Sequence, residues 1–263
     1  CSSCHNGMRA AGAEGPKSSN SKHLRQPPLT NSYNILDLSH KLWYTVPMKS
    51  LISTRYQKGI KSPNDFQVLK KGSTNKKLGF KVTSKKWKGK RLYALTLTER
   101  ETCPTSCHHW VDCYGNNMPF AHRFDTVGLI DKLEQEIPML LNKHKEGIVI
   151  RLHVLGDFYS VAYVEFWQEM LLKYPKLALF GYTAREHDSS IGKALFLLNN
   201  RFNERCVIRK SGEPELDSNW SYAVIEASDA NSFTCPEQTN KVKSCADCGL
   251  CWTTPKTVKF LSH

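Results

Sequence analysis

An alternation of short apolar runs with longer stretches of helical periodicity, between residues 92 and 226, constrains the fold of this chain most. The apolar runs are predicted to be strands, at 92–98, 148–155, 177–182, 206–209 and 222–226. Three stretches between them are predicted to be helices, at 129–145, 160–174 and 191–202. Such an alternation is typical of βαβ units on a parallel sheet. The elements are too few for a closed eight-stranded barrel, so we expect an α/β fold, either a partial (β/α) barrel or an open parallel sheet.

Polar or metal-binding residues directly follow three of the predicted strands. The segment 103–113 comes after the first strand, Gly156 and Asp157 end the second, and 183–185 follows the third. In parallel sheets, ligands bind at the carboxyl ends of the strands. We therefore expect these segments to share one edge of the sheet and to surround one site.

The first of these segments contains Cys103, Cys107 and Cys113 at C-x3-C-x5-C spacing. Thiolates are soft ligands that favour iron–sulfur clusters or zinc over hard cations. Three of them form an incomplete ligand set. Either a fourth ligand completes it, with His108 or His109 giving a Cys3His zinc site, or one metal atom stays open to bind and polarise another molecule.

The region 231–263 is predicted to be a cysteine-rich metal-binding extension. It holds Cys235 and a C-x2-C-x2-C run formed by Cys245, Cys248 and Cys251. Four thiols make a complete ligand set, and the tight run resembles that of a [4Fe–4S] ferredoxin with Cys235 as the remote ligand. A Cys4 zinc knuckle is the alternative.

Positive charge is concentrated before the first cysteine loop. The chain has a net charge of +13, and its first 100 residues hold 20 Lys and Arg against 4 Asp and Glu. Such asymmetry favours an anionic partner, and a nucleic acid or nucleotide is the first candidate. The candidate contacts are Lys85, Lys86, Trp87, Lys88, Lys90 and Arg91. Trp87 would stack on a base while the cations follow phosphates; the alternative is a basic β-hairpin whose tryptophan covers the edge of the core.

Composition divides the chain into four predicted regions: a disordered basic tail at 1–32, a basic extension at 33–91, an α/β core at 92–230 and the cysteine-rich extension. No apolar run approaches the roughly 20 residues that a membrane-spanning helix needs, so no membrane partner is expected. No secretory signal is visible. We therefore expect a cytoplasmic location, where ten cysteines are better explained as metal ligands than as disulfides.

The cysteine loop and the strand end at Gly156 and Asp157 together resemble the radical S-adenosylmethionine superfamily. In that superfamily, three cysteines hold a [4Fe–4S] cluster whose remaining iron chelates the amino and carboxylate groups of S-adenosylmethionine. The resemblance implies that Gly156 and Asp157 stand where the family has the Gly-Gly-Glu motif that receives the methionyl ammonium. It also implies that Thr183 and Arg185 hold the ribose or the carboxylate, and that the tail cysteines bind an auxiliary cluster.

The sequence departs from that family pattern in two places. The family spacing is C-x3-C-x2-C with an aromatic residue before the last cysteine, whereas here five residues separate Cys107 from Cys113, and the aromatic Tyr114 follows it. The second glycine of the Gly-Gly-Glu motif is absent, and an aspartate replaces the glutamate. Tyr114 is nevertheless the aromatic residue that the resemblance places beside the cofactor.

A closer likeness covers approximately residues 78–263. The segments 95–107, 113–118 and 156–160, together with Tyr182-Thr183 and the terminal C-x2-C-x2-C-Trp, resemble the phage and mobile-element family called gene product eighty-eight. The resemblance implies a phage or prophage setting, in the host cytoplasm, and a metal core. It implies no particular reaction.

Two functions therefore compete. The first is an iron–sulfur enzyme similar to the radical S-adenosylmethionine family, in which Asp157, His153 and Arg151 are the catalytic candidates. Strand alternation over 148–155 puts Arg151 and His153 on one face, where they would serve as anion-binding and acid–base groups if that face lines the site, and as interior polar groups otherwise. The second is a non-catalytic nucleic-acid-binding protein whose cysteines hold structural zinc or iron–sulfur sites. Whether the chain is an enzyme is left open by the sequence.

Overall fold

The structure is a computed structural model that describes residues 52–83, 85–212, 222–225 and 232–261. The predicted disordered tail at 1–32 and most of the basic extension up to residue 51 lie outside the described residues, so these two predictions stay predictions.

One sheet of eight strands forms the centre of the described chain. The ten strands of the structure are β1 Ile60–Lys61, β2 Lys70–Lys71, β3 Arg91–Ala94, β4 Arg123–Phe124, β5 Ile148–Leu152, β6 Leu177–Thr183, β7 Cys206–Ser211, β8 Tyr222–Ile225, β9 Ser232–Thr234 and β10 Thr257–Phe260. The order in the large sheet is β2-β3-β5-β6-β7-β8-β10-β9, while β1 and β4 pair separately. All neighbours in the large sheet are parallel except β2, which is antiparallel to β3. The fold is therefore mixed α/β with a mostly parallel sheet, as predicted.

Three long helices connect the parallel strands: α1 Leu129–Lys143, α2 Val161–Lys173 and α3 Ser190–Arg201. The hydroxyls of Ser160 and Ser189 cap α2 and α3 by accepting backbone N–H groups at the first turn. A fourth helix, α4, is the single turn Cys245–Cys248. None of the helices in the described part of the chain combines the length and the apolarity that crossing a membrane requires.

The two faces of the sheet have different covers. The helix face packs against α1, α2 and α3 in one buried cluster, which includes Ile148, Ile150, Leu152, Leu133, Trp167 and Leu195. We call the opposite face the tail face. Its buried side chains include Val149, Ala178 and Phe180, and they pack against Ala246 and Trp252 of the C-terminal cysteine run. The described part of the tail thus contributes strands β9 and β10 to the sheet and also covers one of its faces.

The strand order positions the candidate site. From β3 to β8 the parallel strands follow one another in the sheet in chain order, with no reversal. Parallel strands end at the same edge, and we call the segments that follow β3, β5, β6 and β7 the carboxyl edge. In register, Ala94 lies opposite Arg151, Leu152 opposite Gly181, and Thr183 opposite Lys210.

Candidate functional site

The cysteine loop starts beside the end of β5. Beyond β3 the chain continues along that strand, because the N–H of Leu95 donates to the carbonyl of Arg151 and the N–H of Leu97 to that of Leu155. Gly156 has φ +82°, and a Cβ there would lie 2.6 Å from Oγ1 of Thr102. This close approach requires glycine and brings the residue before Cys103 against the end of β5.

Asp157 ties three segments of the carboxyl edge together. Its backbone N–H donates to Oγ1 of Thr102 at 3.1 Å. Its Oδ1 accepts from the N–H of Phe158 at 2.7 Å and from the hydroxyl of Thr183 at 2.8 Å, and its Oδ2 accepts from the N–H of Ala184 at 2.7 Å. Burial raises the pKa of Asp157 to about 6, although these donors and the charge of Arg185 oppose the shift. Asp157 is thus a buried carboxyl group whose position is set by three donors.

Arg185 completes this connection. Its Nη2 donates to the carbonyl of Thr102 at 2.6 Å and its Nε to the carbonyl of Phe158 at 2.7 Å. The predicted cofactor-binding residues Gly156, Asp157, Thr183 and Arg185 therefore do lie together. In the structure, they hold the cysteine loop to the ends of β5 and β6.

Two of the three loop thiols share the neighbourhood of Asp157. Cys103, Cys107 and Cys113 are all unpaired thiols and partly exposed. Burial raises the pKa of Cys103 to about 12, with further upward contributions from the charges of Asp157, Cys107 and Cys113. Burial is also the largest cause of the raised pKa of Cys107, and the charges of Asp157 and Cys113 add to it. These effects indicate that Cys103 and Cys107 lie within electrostatic range of Asp157, and that Cys113 lies within range of these two thiols.

A buried ion pair between Arg123 and Glu99 fixes the backbone at the end of the cysteine loop. Nε of Arg123 lies 2.7 Å from Oε2 of Glu99, and both side chains are fully buried. The other nitrogens of Arg123 donate to the carbonyls of Gly115, Met118 and Ala121, which follow the last loop cysteine. The backbone of the loop is thereby fixed. Sequence reasoning missed this pair, because a glutamate and an arginine 24 positions apart carry no local sign of contact.

The loop histidines lie on its outer side. Nδ1 of His109 is 3.4 Å from the carboxylate of Asp112. The ring of His108 is 3.8 Å from where a Cβ of Gly212 would stand, beyond the end of β7. Neither contact shows a cysteine as the partner, so a histidine as fourth ligand stays a prediction.

The four tail thiols form a second set. Cys235 follows β9, and its N–H donates to the carbonyl of Lys259 in β10. Burial raises the pKa of Cys245, and the charges of Cys251 and Cys235 add to the shift. Burial also raises the pKa of Cys248, and the charges of Cys251 and Cys235 add to this shift as well. Cys235 and Cys251 therefore lie within electrostatic range of both Cys245 and Cys248.

The run is held in place by its own turn and by the segment before β3. The hydroxyl of Ser244 caps α4, and Gly249 ends it at φ +66°. The N–H of Cys245 and that of Ala246 donate to the carbonyls of Lys77 and Leu78. The run thus packs on the tail face of the sheet.

Donors and cations surround Cys251. The hydroxyl of Tyr182 donates to its sulfur, and the charges of Arg209 and Arg151 also lower its pKa, although burial, the largest influence, raises it. Arg209 is fully buried, and its guanidinium donates to four backbone carbonyls, those of Cys251, Tyr222, Thr254 and Lys256. Burial outweighs these groups, so the pKa of Cys251 lies above its ordinary value, while Tyr182 and the two arginines offset part of the cost of a thiolate there.

The donor set of the tail suits an anionic metal group. A buried indole, Nε1 of Trp252, has no hydrogen-bond acceptor among the described residues and lies beside the Gly249 turn, 3.3 Å from where a Cβ would stand. Sulfurs of an iron–sulfur cluster accept hydrogen bonds from such groups.

Among the described residues, the side chains of His, Cys, Asp and Glu do not form a group of three or more that is close enough to hold a metal ion.

Arg151 and His153 contact opposite faces of the sheet, in contrast to the prediction that they alternate on one face. The guanidinium carbon of Arg151 lies 4.2 Å from the ring centre of Tyr182 and 5.4 Å from that of Phe180 on the tail face. The ring of His153 packs against Tyr163 of α2 on the helix face, with Nε2 3.0 Å from the phenol oxygen. The reason is that β5 ends at Leu152, so strand alternation does not extend to residue 153.

His153 is unsuited to acid–base catalysis in this position. Burial lowers its pKa to about 3, and the charge of Arg151 adds to this effect. The imidazole is therefore neutral at ordinary pH and is surrounded by Phe158 and Tyr163. Its place in the helix-face core is that of a packed interior residue.

A polar pair at the carboxyl edge was not foreseen from the sequence. Nζ of Lys210, which is buried at the end of β7, lies 2.8 Å from Oε2 of Glu186. The hydroxyl of Ser106, within the cysteine loop, is 3.4 Å from the other oxygen of Glu186. A lysine at the end of an apolar strand was the signal that could have identified it.

The tryptophan of the basic segment before β3 is buried, whereas Lys85, Lys86 and Lys88 are exposed. Trp87 is 2% exposed, stacks on Trp252 at 5.2 Å and donates through Nε1 to the carbonyl of Glu204. Its ring is thus enclosed and fits the alternative of a tryptophan that covers the edge of the core, while the predicted nucleic-acid contact of Trp87 stays a prediction. Lys86 and Lys90 donate to backbone carbonyls of the body. The remaining candidates, Lys85, Lys88 and Arg91, stay predictions, and Arg91 lies over the ring of Phe80.

Comparisons with known proteins add no relative to this picture. The chain matches no protein-family model, and neither the curated proteins nor the solved structures contain a match.

Proposed function

We propose that this chain is an iron–sulfur enzyme with two cysteine-ligated clusters. The loop cysteines Cys103, Cys107 and Cys113 hold a cluster with one open iron, and the four tail cysteines hold a closed cluster. The observation that carries the proposal is the electrostatic coupling of the loop thiols to each other, and of Cys103 and Cys107 to Asp157 at the carboxyl edge. Four coupled thiols beside a tyrosine donor and two arginines support the second cluster.

The strand order supports a partial barrel as the frame of this enzyme. A doubly wound sheet reverses its strand order at the point where ligands bind, whereas the wall of a (β/α) barrel keeps the chain order. Here β3, β5, β6, β7 and β8 follow in order, with helices packed on one face. In such a frame, the carboxyl edge is the place where an open iron would meet its substrate.

We further propose that the open site takes S-adenosylmethionine, as the resemblance to the radical S-adenosylmethionine superfamily implies. When bound to an open iron, this cofactor supplies a carbon-centred radical on reduction. The carboxylate of Asp157 can accept one further hydrogen bond, from the methionyl ammonium. A carboxylate has about four acceptor positions, and Phe158, Thr183 and Ala184 use three of them. Tyr114, next to Cys113 and 45% exposed, is an aromatic surface at the same site.

The test is spectroscopic. The full chain is purified and reconstituted with iron and sulfide without oxygen, then reduced, and its electron paramagnetic resonance spectrum is recorded with and without S-adenosylmethionine. The proposal predicts that the cofactor changes the spectrum of the loop cluster, and that Cys103→Ala removes the response while the signal of the tail cluster stays. A chain that binds zinc and no iron would exclude the proposal. A chain that binds iron but whose spectrum does not change on addition of S-adenosylmethionine would exclude this cofactor, and the clusters would then have a structural or electron-transfer role.

A further inference from the structure

Arg151 is an interior cation with unused hydrogen-bonding capacity. Its Nη1 is fully enclosed and has no acceptor within the part of the chain that the structure describes. No described aspartate or glutamate forms an ion pair with it. Since burying a charged donor without a partner is costly, such a group is retained where it meets an anion.

Arg151 lies on the tail side of the carboxyl edge. It stands on β5, opposite Phe180 of β6, near the carboxyl end of both strands. Cys245 and Cys251 of the tail and Tyr114, which adjoins the last loop cysteine, lie within electrostatic range of its guanidinium. A molecule held by Arg151 would therefore lie beside the tail cysteines and near Tyr114.

The geometry of the guanidinium suits planar recognition. With its central carbon 4.2 Å from the ring centre of Tyr182, the group is supported on an aromatic face. An arginine that rests on an aromatic ring keeps the N–H groups along its edge for oxygen ligands, and it matches a carboxylate or a phosphate with two parallel hydrogen bonds. Lysine lacks this fork, so an arginine at this position is specific for oxyanions.

We propose that Arg151 forms a binding subsite for the anionic oxygen group, a carboxylate or a phosphate, of a small-molecule substrate that lies beside the tail cysteines at the carboxyl edge. Nη1 is the buried donor of the subsite, and the ring of Tyr182 holds the guanidinium in position. The inference rests on the proposed function for the nature of the neighbouring sites. The anion-binding property itself rests on Arg151 and its contacts.

The test is equilibrium dialysis of the reconstituted full chain against radiolabelled phosphate in one arm and radiolabelled acetate in the other, at constant ionic strength set with chloride. We expect saturable binding of at least one of these anions to the wild-type chain. Arg151→Gln should weaken that binding roughly 10- to 100-fold, which is the loss of a charge-assisted hydrogen bond. The arm that responds identifies the group as a phosphate or a carboxylate.

Arg201→Gln is the matched control. Arg201 also stands over an aromatic ring, that of Phe202, but it is exposed at the end of α3. Its replacement should leave the anion affinity unchanged. Arg151→Lys, which keeps the charge and loses the fork, should bind about tenfold more weakly than wild type and serves if the glutamine variant does not fold.

Two results would overturn the inference: wild-type protein that binds neither anion, or equal affinity in wild type and Arg151→Gln. Loss of iron from the tail site in Arg151→Gln, without any anion binding in wild type, would make the guanidinium a counter-charge of the tail thiolates instead. The iron content of each sample separates this inference from the proposed function. Anion binding that depends on Arg151 in an iron-free chain would support the subsite while the cluster proposal fails.

Discussion

Oγ1 of Thr102 accepts a hydrogen bond from the backbone N–H of Asp157 at 3.1 Å, so the residue before Cys103 is bonded directly to the segment that follows β5. This contact joins segments that are 55 positions apart. It makes the placement of the cysteine loop depend on the hydrogen bonds around Asp157.

Replacing Thr183 by valine should loosen this connection. The hydroxyl of Thr183 donates to Oδ1 of Asp157 in a buried hydrogen bond and accepts from the N–H of Arg185 in a partly buried one. We expect the free energy of unfolding to fall by about 1–3 kcal/mol, because a buried donor and acceptor lose their partner. Denaturant unfolding measures this. Thr126→Val, at a half-buried threonine in the turn before α1, should change stability little, and equal losses in the two variants would contradict the role assigned to Thr183.

Protonation of Asp157 should make stability depend on pH. Burial raises its pKa from 3.8 to about 6 in the folded chain. Between these values the folded state binds more protons than the unfolded state, so this group makes the free energy of unfolding fall as pH rises from about 4 to about 6. The two-unit shift corresponds to about 3 kcal/mol. Unfolding curves at several pH values should show this decrease in the free energy of unfolding for wild type and not for Asp157→Asn. The same pH dependence in both proteins would mean that a group other than Asp157 titrates.

Arg209 should control the attachment of the tail. A fully buried guanidinium that donates to four carbonyls leaves all of them unpaired when it is replaced. We expect Arg209→Met to lower the free energy of unfolding by about 3–5 kcal/mol, because each of the four carbonyls left without its donor costs roughly 1 kcal/mol. We also expect cleavage by a protease within 235–260 that the wild type resists. Arg201→Met is the control, and a tail that stays protected in Arg209→Met would show that the guanidinium does not hold it.

The strand–helix alternation was predictable because apolar periodicity determines which residues of each element are buried. Gly156 and Asp157 were found for the same reason, since they stand where an apolar strand stops. Contacts between distant polar residues were not predictable. Arg209 meets carbonyls more than 40 positions away, and Trp87 meets Trp252 across the sheet face, so no local pattern identifies either pair. Arg151 and His153 were assigned to one face because strand alternation was extended beyond Leu152, where the strand ends.

Tyr182 should tune the tail cluster that we propose. Its hydroxyl donates to the sulfur of Cys251, and a hydrogen bond to a cluster ligand stabilises the reduced, more negative state. Tyr182→Phe should therefore lower the reduction potential of the tail cluster. A potentiometric titration followed by electron paramagnetic resonance measures it, with the loop cluster as an internal reference. A potential that stays unchanged would show that this hydrogen bond does not reach a cluster ligand.

The central claim, that each cysteine set holds its own cluster, is tested most directly by counting iron and sulfide per chain after anaerobic reconstitution. The comparison is between wild type, a variant with Cys103, Cys107 and Cys113 replaced by alanine, and a variant with Cys245, Cys248 and Cys251 replaced by alanine. The account predicts about eight irons in wild type and about four in each variant. Wild-type protein without iron, or a single set of replacements that removes all of it from a folded chain, would contradict the account.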